Sequence, residues 1–199
     1  MIVDNEITVL VTSNYEKLHN KLLENNFSIK EEYELNDTYM INKKTDVSNC
    51  NILDVLKQCI LVRDIVGIKK ELLYKYKKYD NEGDILEQGK VECPVYDIDK
   101  AVKFMEAVNY KILFKIYDKC IVYANDRTEL VVQLVNNKYI FIEMEQTCEH
   151  IKRKYSGIEE LKEDINSYDI PFDRNNYFVK KAELVLKEVI KNNGDGKTC

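Results

Sequence analysis

The chain contains no tryptophan and only two prolines, six glycines and two histidines among its 199 residues. So few breakers leave no visible linker, and there is no Gly-rich loop to cradle phosphate on backbone N–H groups. No apolar run approaches the ~20 residues that cross a bilayer as a helix. The start, Met1-Ile2-Val3-Asp4-Asn5-Glu6, lacks the basic and apolar stretches of a secretory signal. A cytoplasmic protein with no membrane partner is expected. Basic residues are outnumbered 30 to 35, giving a net charge of −5, so no cationic excess is available for a phosphate backbone and no nucleic-acid partner is expected. The six cysteines show no Cys-x-x-Cys spacing, the usage of reduced, scattered thiols. Cys148 and His150 flank Glu149, a spacing read as a surface turn more readily than as a zinc site.

What remains is the composition of a folded chain, 45% hydrophobic and 33% charged. One domain over 1–190 with a frayed tail over 191–199 is expected. Period-2 alternation and β-branched or aromatic content predict strands near 5–12, 30–41, 58–66, 70–80, 86–96, 111–124, 128–135 and 138–146. Turns are predicted at Asn81-Glu82-Gly83-Asp84 and Asn125-Asp126. Helices fit 14–25, 49–57, 97–108, 157–167 and 175–190. The last strand ends Phe141-Ile142-Glu143-Met144-Glu145. Residues i and i+2 of a strand project to one side, so Glu143 and Glu145 share one space. A solvated strand face and a metal site both accommodate them, and both readings stay open at this point.

An internal echo organises the chain. Asn14, a helix, and Asn26-Phe27-Ser28-Ile29 before a long strand recur 83 positions later as Asp97, a helix, and Asn109-Tyr110-Lys111-Ile112. Asn14 and Asp97 suit the N-cap. Leu18, Leu22 and Leu23 in the first helix, and Ala101, Phe104, Met105 and Val108 in the second, mark the expected buried faces. Two related halves follow. The fold class is α+β, an eight-stranded antiparallel barrel or tunnel with flanking helices, closure being a way to remove exposed edges.

In order, these strands resemble the CYTH family of triphosphate tunnel metalloenzymes, which includes class IV adenylate cyclases, thiamine triphosphatases and inorganic triphosphatases. The opening Glu-x-Glu-x-Lys motif is met by Glu6-Ile7-Thr8-Val9-Leu10, keeping its first acid, and Asp37-Thr38-Tyr39 matches Asp-Thr-Tyr. Leu-Arg-Ile-Arg is met by Ile60-Leu61-Val62-Arg63, and Leu-Thr-Tyr-Lys-Gly by Leu72-Leu73-Tyr74-Lys75-Tyr76. Arg-x-Glu-x-Glu is met by Lys90-Val91-Glu92-Cys93-Pro94. In the second half both bases of Lys-x-Arg-x-x-Tyr are missing from Asp118-Lys119-Cys120-Ile121-Val122-Tyr123, and Gln133 stands where Leu-Asp-x-Val has its aspartate. Phe-x-Glu-Ile-Glu closes the series at Phe141–Glu145.

The resemblance implies that Glu6, Glu92, Glu143 and Glu145 hold Mg²⁺ or Mn²⁺, hard cations that take oxygen ligands. It implies that Arg63, Lys75, Lys77 and Lys90 grip a triphosphate-containing small molecule. Hydrolysis of an inorganic, thiamine or nucleotide triphosphate is the first expectation. A non-catalytic polyphosphate or nucleotide binder is the alternative, and cyclisation by a class IV cyclase-like activity is the third. Thr8, Leu10, Leu61 and Cys120 each replace a charged motif position, which weighs against efficient catalysis. No residue is assigned a catalytic step, and the oligomeric state is left open, a homodimer being one option.

Overall fold

The computed structural model describes residues 5–47, 50–79 and 85–195. In chain order its first elements are β1 (Glu6–Leu10), α1 (Tyr15–Glu24), β2 (Ser28–Asn42), α2 (Ile52–Leu56), β3 (Ile60–Ile65) and β4 (Lys69–Tyr79). These are followed by β5 (Ile85–Pro94), α3 (Ile98–Ala107), β6 (Tyr110–Ala124), β7 (Glu129–Val135), β8 (Tyr139–Glu145), α4 (Ile158–Asn166) and α5 (Lys181–Asp195). The predicted turn at Asn81–Asp84 lies outside the described residues. The second predicted turn is built by Asn125, whose side-chain oxygen accepts from the N–H groups of Arg127 (2.9 Å) and Thr128 (2.7 Å).

The echoed helices start and stop by the same local chemistry. Asn14 accepts from the Lys17 N–H at 2.9 Å, and Asp97 from that of Lys100 at 3.0 Å, each satisfying a donor that the first turn leaves open. Past their ends, Asn26 (φ 63°) and Asn109 (φ 71°) adopt the left-handed conformation, which Asn tolerates better than most non-glycine residues. The expected burial needs correction. Leu18, Leu22, Ala101 and Met105 are buried, whereas Leu23, Phe104 and Val108 are exposed.

The eight strands make one antiparallel sheet in the order β1-β8-β7-β6-β2-β3-β4-β5. The expected closed barrel or tunnel is not formed, because β1 and β5 end the sheet instead of pairing. The chain's own C-terminal segment takes the outer edge of β1. The Thr8 N–H donates to the Tyr177 carbonyl (2.9 Å), the Val179 N–H donates to the Thr8 carbonyl (3.0 Å), and that of Asp173 donates to Leu10 (2.9 Å). Backbone groups on that edge are thus satisfied locally. The same contacts shift a helix start. Residues 177–179 bond along β1, so α5 begins at Lys181 instead of the expected 175, and it continues through Asp195.

The chain divides into two compact units, residues 1–34 with 118–180 and residues 35–117 with 181–199. In the first unit one sheet face carries Ile7, Val9, Ile121, Tyr123, Leu130, Val132, Ile142 and Met144 into a cluster with Leu18 and Leu22 of α1 and Leu161 and Ile165 of α4. Beside it the Asp164 carboxylate, almost fully buried, accepts from the Thr128 and Tyr155 hydroxyls and pairs with Arg127 (3.1 Å) and Arg153 (3.3 Å). In the second unit α3 packs Ala101 and Met105 against Met40 and Val62, and α2 packs on α5. No described helix is long and apolar enough to cross a membrane. The five described cysteines are free, and Cys148 is buried, contrary to the surface turn expected there.

Candidate functional site

The first unit gathers acids on the sheet face opposite the α1 cluster. Pairing of β1 with β8 puts Glu6 opposite Glu145 and Thr8 opposite Glu143. With Glu143 and Glu145 two residues apart, the three carboxylates converge, each offering an oxygen within 4.8 Å of the other two. Oxygen donors are what hard divalent cations take, so the three residues fit such an ion in chemistry.

Behind Glu143 lies a polar support. Gln133, only 4% exposed, donates from Nε2 to Glu143 Oε2 at 3.2 Å. Its amide orientation follows from that contact, since a flipped amide would set its own oxygen against the carboxylate. Tyr33 also belongs to this neighbourhood. Burial first, then the nearby Cys120, Glu143 and Asp118, hold its hydroxyl well above the ordinary tyrosine range, and so neutral.

The second unit carries a ladder of alternating charge on the sheet face opposite α3. Register sets Asp37 against Arg63 and Arg63 against Glu71. The Arg63 fork closes on Asp37 through Nε–Oδ1 and Nη2–Oδ2, both 2.7 Å. Burial works against the guanidinium charge, but these hydrogen bonds more than offset it and raise its pKa. Lys69 reaches the buried Glu71 at 3.0 Å and Glu92 at 3.7 Å, while Lys90 pairs with Glu92 at 2.7 Å. The Lys90 hydrogen bond leads in pulling the Glu92 carboxyl below its usual range. Lys75 lies directly opposite Lys90, and Lys77 opposite Gln88. The side chain of Lys77 lies outside the described residues.

The sequence-predicted residues therefore fall into two groups. Glu6, Glu143 and Glu145 converge in the first unit, whereas Glu92, expected beside them as a metal ligand, is bound by lysines in the second. Arg63, Lys75 and Lys90 occupy one face by strand parity. Sequence reasoning missed Asp37 as the Arg63 partner, the Lys69–Glu71 pair and the support that Gln133 lends to Glu143. A cross-strand partner is set by register, which no single strand's pattern reveals. Only the parity of Glu71 with Lys75 offered a signal.

No family model matches the chain, and neither does any curated protein. Solved structures do. A protein of Pyrococcus horikoshii is 18% identical with a TM-score of 0.62, over 94% of this chain and 99% of that one. A conserved hypothetical protein of Pyrococcus furiosus is 19% identical with a TM-score of 0.60, over 92% and 99%. A candidate adenylate cyclase of Vibrio parahaemolyticus is 10% identical with a TM-score of 0.54, over 94% and 97%. At such identities the likeness is one of fold, and it extends over nearly the whole of each chain: this α+β protein shares its fold with these three.

Proposed function

We propose that the protein is a metal-dependent phosphohydrolase acting on a triphosphate, whether inorganic, thiamine or nucleotide, as its resemblance to the CYTH family implies. The observation that carries this reading is the convergence of Glu6, Glu143 and Glu145 within 4.8 Å. These three carboxylates would hold Mg²⁺ or Mn²⁺, which when bound supplies a Lewis acid for phosphoryl oxygens and for water. Gln133 orients Glu143 and keeps its lone pairs directed. Arg63, Lys75, Lys77 and Lys90 neutralise phosphate oxygens, the guanidinium by its planar fork and the lysines as movable point charges.

A second reading, a non-catalytic binder of polyphosphate or nucleotide, draws on a specific observation. The Arg63 fork is occupied by Asp37, and Thr8, opposite Glu143, offers no anionic ligand. Cyclisation comes third, supported by the fold shared with the candidate cyclase.

One experiment separates the three. The protein is incubated with tripolyphosphate, thiamine triphosphate and ATP, with Mg²⁺ or Mn²⁺, while phosphate, pyrophosphate and cyclic nucleotide are followed. Phosphate release lost in the double variant Glu143→Gln/Glu145→Gln is the expected result. Ligand-dependent thermal stabilisation without turnover supports the binder. With neither turnover nor stabilisation, both readings fail.

A further inference from the structure

The ladder in the second unit neutralises itself. Asp37, Glu71 and Glu92 stand against Arg63, Lys69 and Lys90, each acid within 3.0 Å of a base. We propose that these three carboxylates are internal competitors for the phosphate-binding bases, so that the face selects polyanions spanning several rungs over orthophosphate. The inference rests on the phosphate reading above and names what that face would discriminate.

Two features carry it. First, Asp37 meets Arg63 through two parallel N–H···O bonds, the same bidentate grip that a guanidinium offers phosphate. A ligand phosphate must therefore replace this carboxylate to use the fork. Second, the pairs differ in exposure. The side chains of Lys90 and Glu92 are 62% and 34% exposed, against 17% and 5% for Arg63 and Asp37. The outer pair, screened by solvent and salt, yields readily, whereas the inner pair resists. A single phosphate replaces one carboxylate and gains little over it. A chain of phosphates opens the outer pair and then competes for the inner one while still attached, at high effective concentration.

The test uses the full chain without divalent metal, which removes the acid cluster of the first unit from the result. Tripolyphosphate and orthophosphate are titrated by calorimetry at one ionic strength into wild type, Glu92→Gln and Asp37→Asn. Removing a competitor should tighten tripolyphosphate binding severalfold in Glu92→Gln and by roughly tenfold or more in Asp37→Asn. Orthophosphate should bind weakly to wild type and gain most in Asp37→Asn. Glu92 is exposed enough that its variant reports even where Asp37→Asn does not fold. Equal or weaker tripolyphosphate binding in the variants that fold overturns the proposal and makes these carboxylates positioning groups for the bases. Wild type that binds, with variants no tighter, sinks the inference but leaves the phosphate reading intact. Variants that bind while wild type does not would uphold the competition and sink phosphate binding as the native function. If no form binds tripolyphosphate, both are overturned.

Discussion

Helices α1 and α3 begin on equivalent caps, run the same length and end before asparagines in the same left-handed conformation, yet they are anchored differently. α1 presses Leu18 and Leu22 into an extensive cluster fed by four strands, α4 and the 168–172 segment. α3 offers the smaller Ala101 with Met105 to Met40 and Val62, and its Phe104 is 61% exposed. Equivalent local signals have thus been packed to different depths. Capping and backbone preference act within a few residues and repeat wherever the same residues repeat. Packing depth depends on what distant strands bring to the helix.

The sharpest way to break this comparison is through the first unit's buried charge. Asp164→Ala takes a buried carboxylate from Arg153 and Arg127, leaves a cavity in its place and removes the acceptor of two hydroxyls. A loss of about 3–5 kcal/mol is expected in urea unfolding. Next come the helix anchors. Leu22→Ala should cost about 3–4 kcal/mol, since its site is fully closed, and Met105→Ala about 2 kcal/mol in its thinner cluster. Equal losses for the two would show that the depth of packing does not set the cost. The caps should behave alike: Asn14→Ala and Asp97→Ala are each expected to lower stability by about 1 kcal/mol. A clear inequality there would mean that the echo is one of sequence alone.

The smallest effect is one of pH. Backbone donation from Ser156, then the Arg153 and Ser156 side chains, pull the Glu160 carboxyl down to about 2. A carboxylate lowered on folding contributes stability that is complete above its unfolded value, about 4.3, and is lost as pH falls through its folded value. Wild type should therefore lose more stability than Glu160→Gln between about pH 4.5 and pH 2. Acid unfolding curves for the two proteins check this. Curves that run parallel across that window would show that solvent screening cancels the contact, as exposed pairs allow.

Much of the fold was legible in sequence. The eight strand segments lie close to their predicted positions because alternation along a strand is a local pattern that burial of one face requires. Four helices did likewise. The start of α5 did not, since residues 175–180 carry no breaker and what makes 177–179 extended is their bonding to Thr8. Closure of the sheet failed for the same reason: the edge of β1 that a barrel would use already had a partner. The acid trio was half legible. The Glu143 and Glu145 spacing proclaimed a shared face, but Glu6 joined them through register. The Arg63–Asp37 fork was hidden, because two residues 26 positions apart announce no pairing until β2 and β3 align.

By itself the sequence determined the strand and helix periods, the two caps, the left-handed asparagines and the parity that puts Glu143 with Glu145 and Lys75 with Lys77. All of these follow from interactions within one turn or one pleat. Tertiary structure alone decided the open sheet, the gathering of Glu6 with the acid pair and the matching of Arg63, Lys69 and Lys90 to carboxylates. Register and edge occupancy depend on which segments meet, and that is settled by the free energy of the whole chain instead of any one stretch of it.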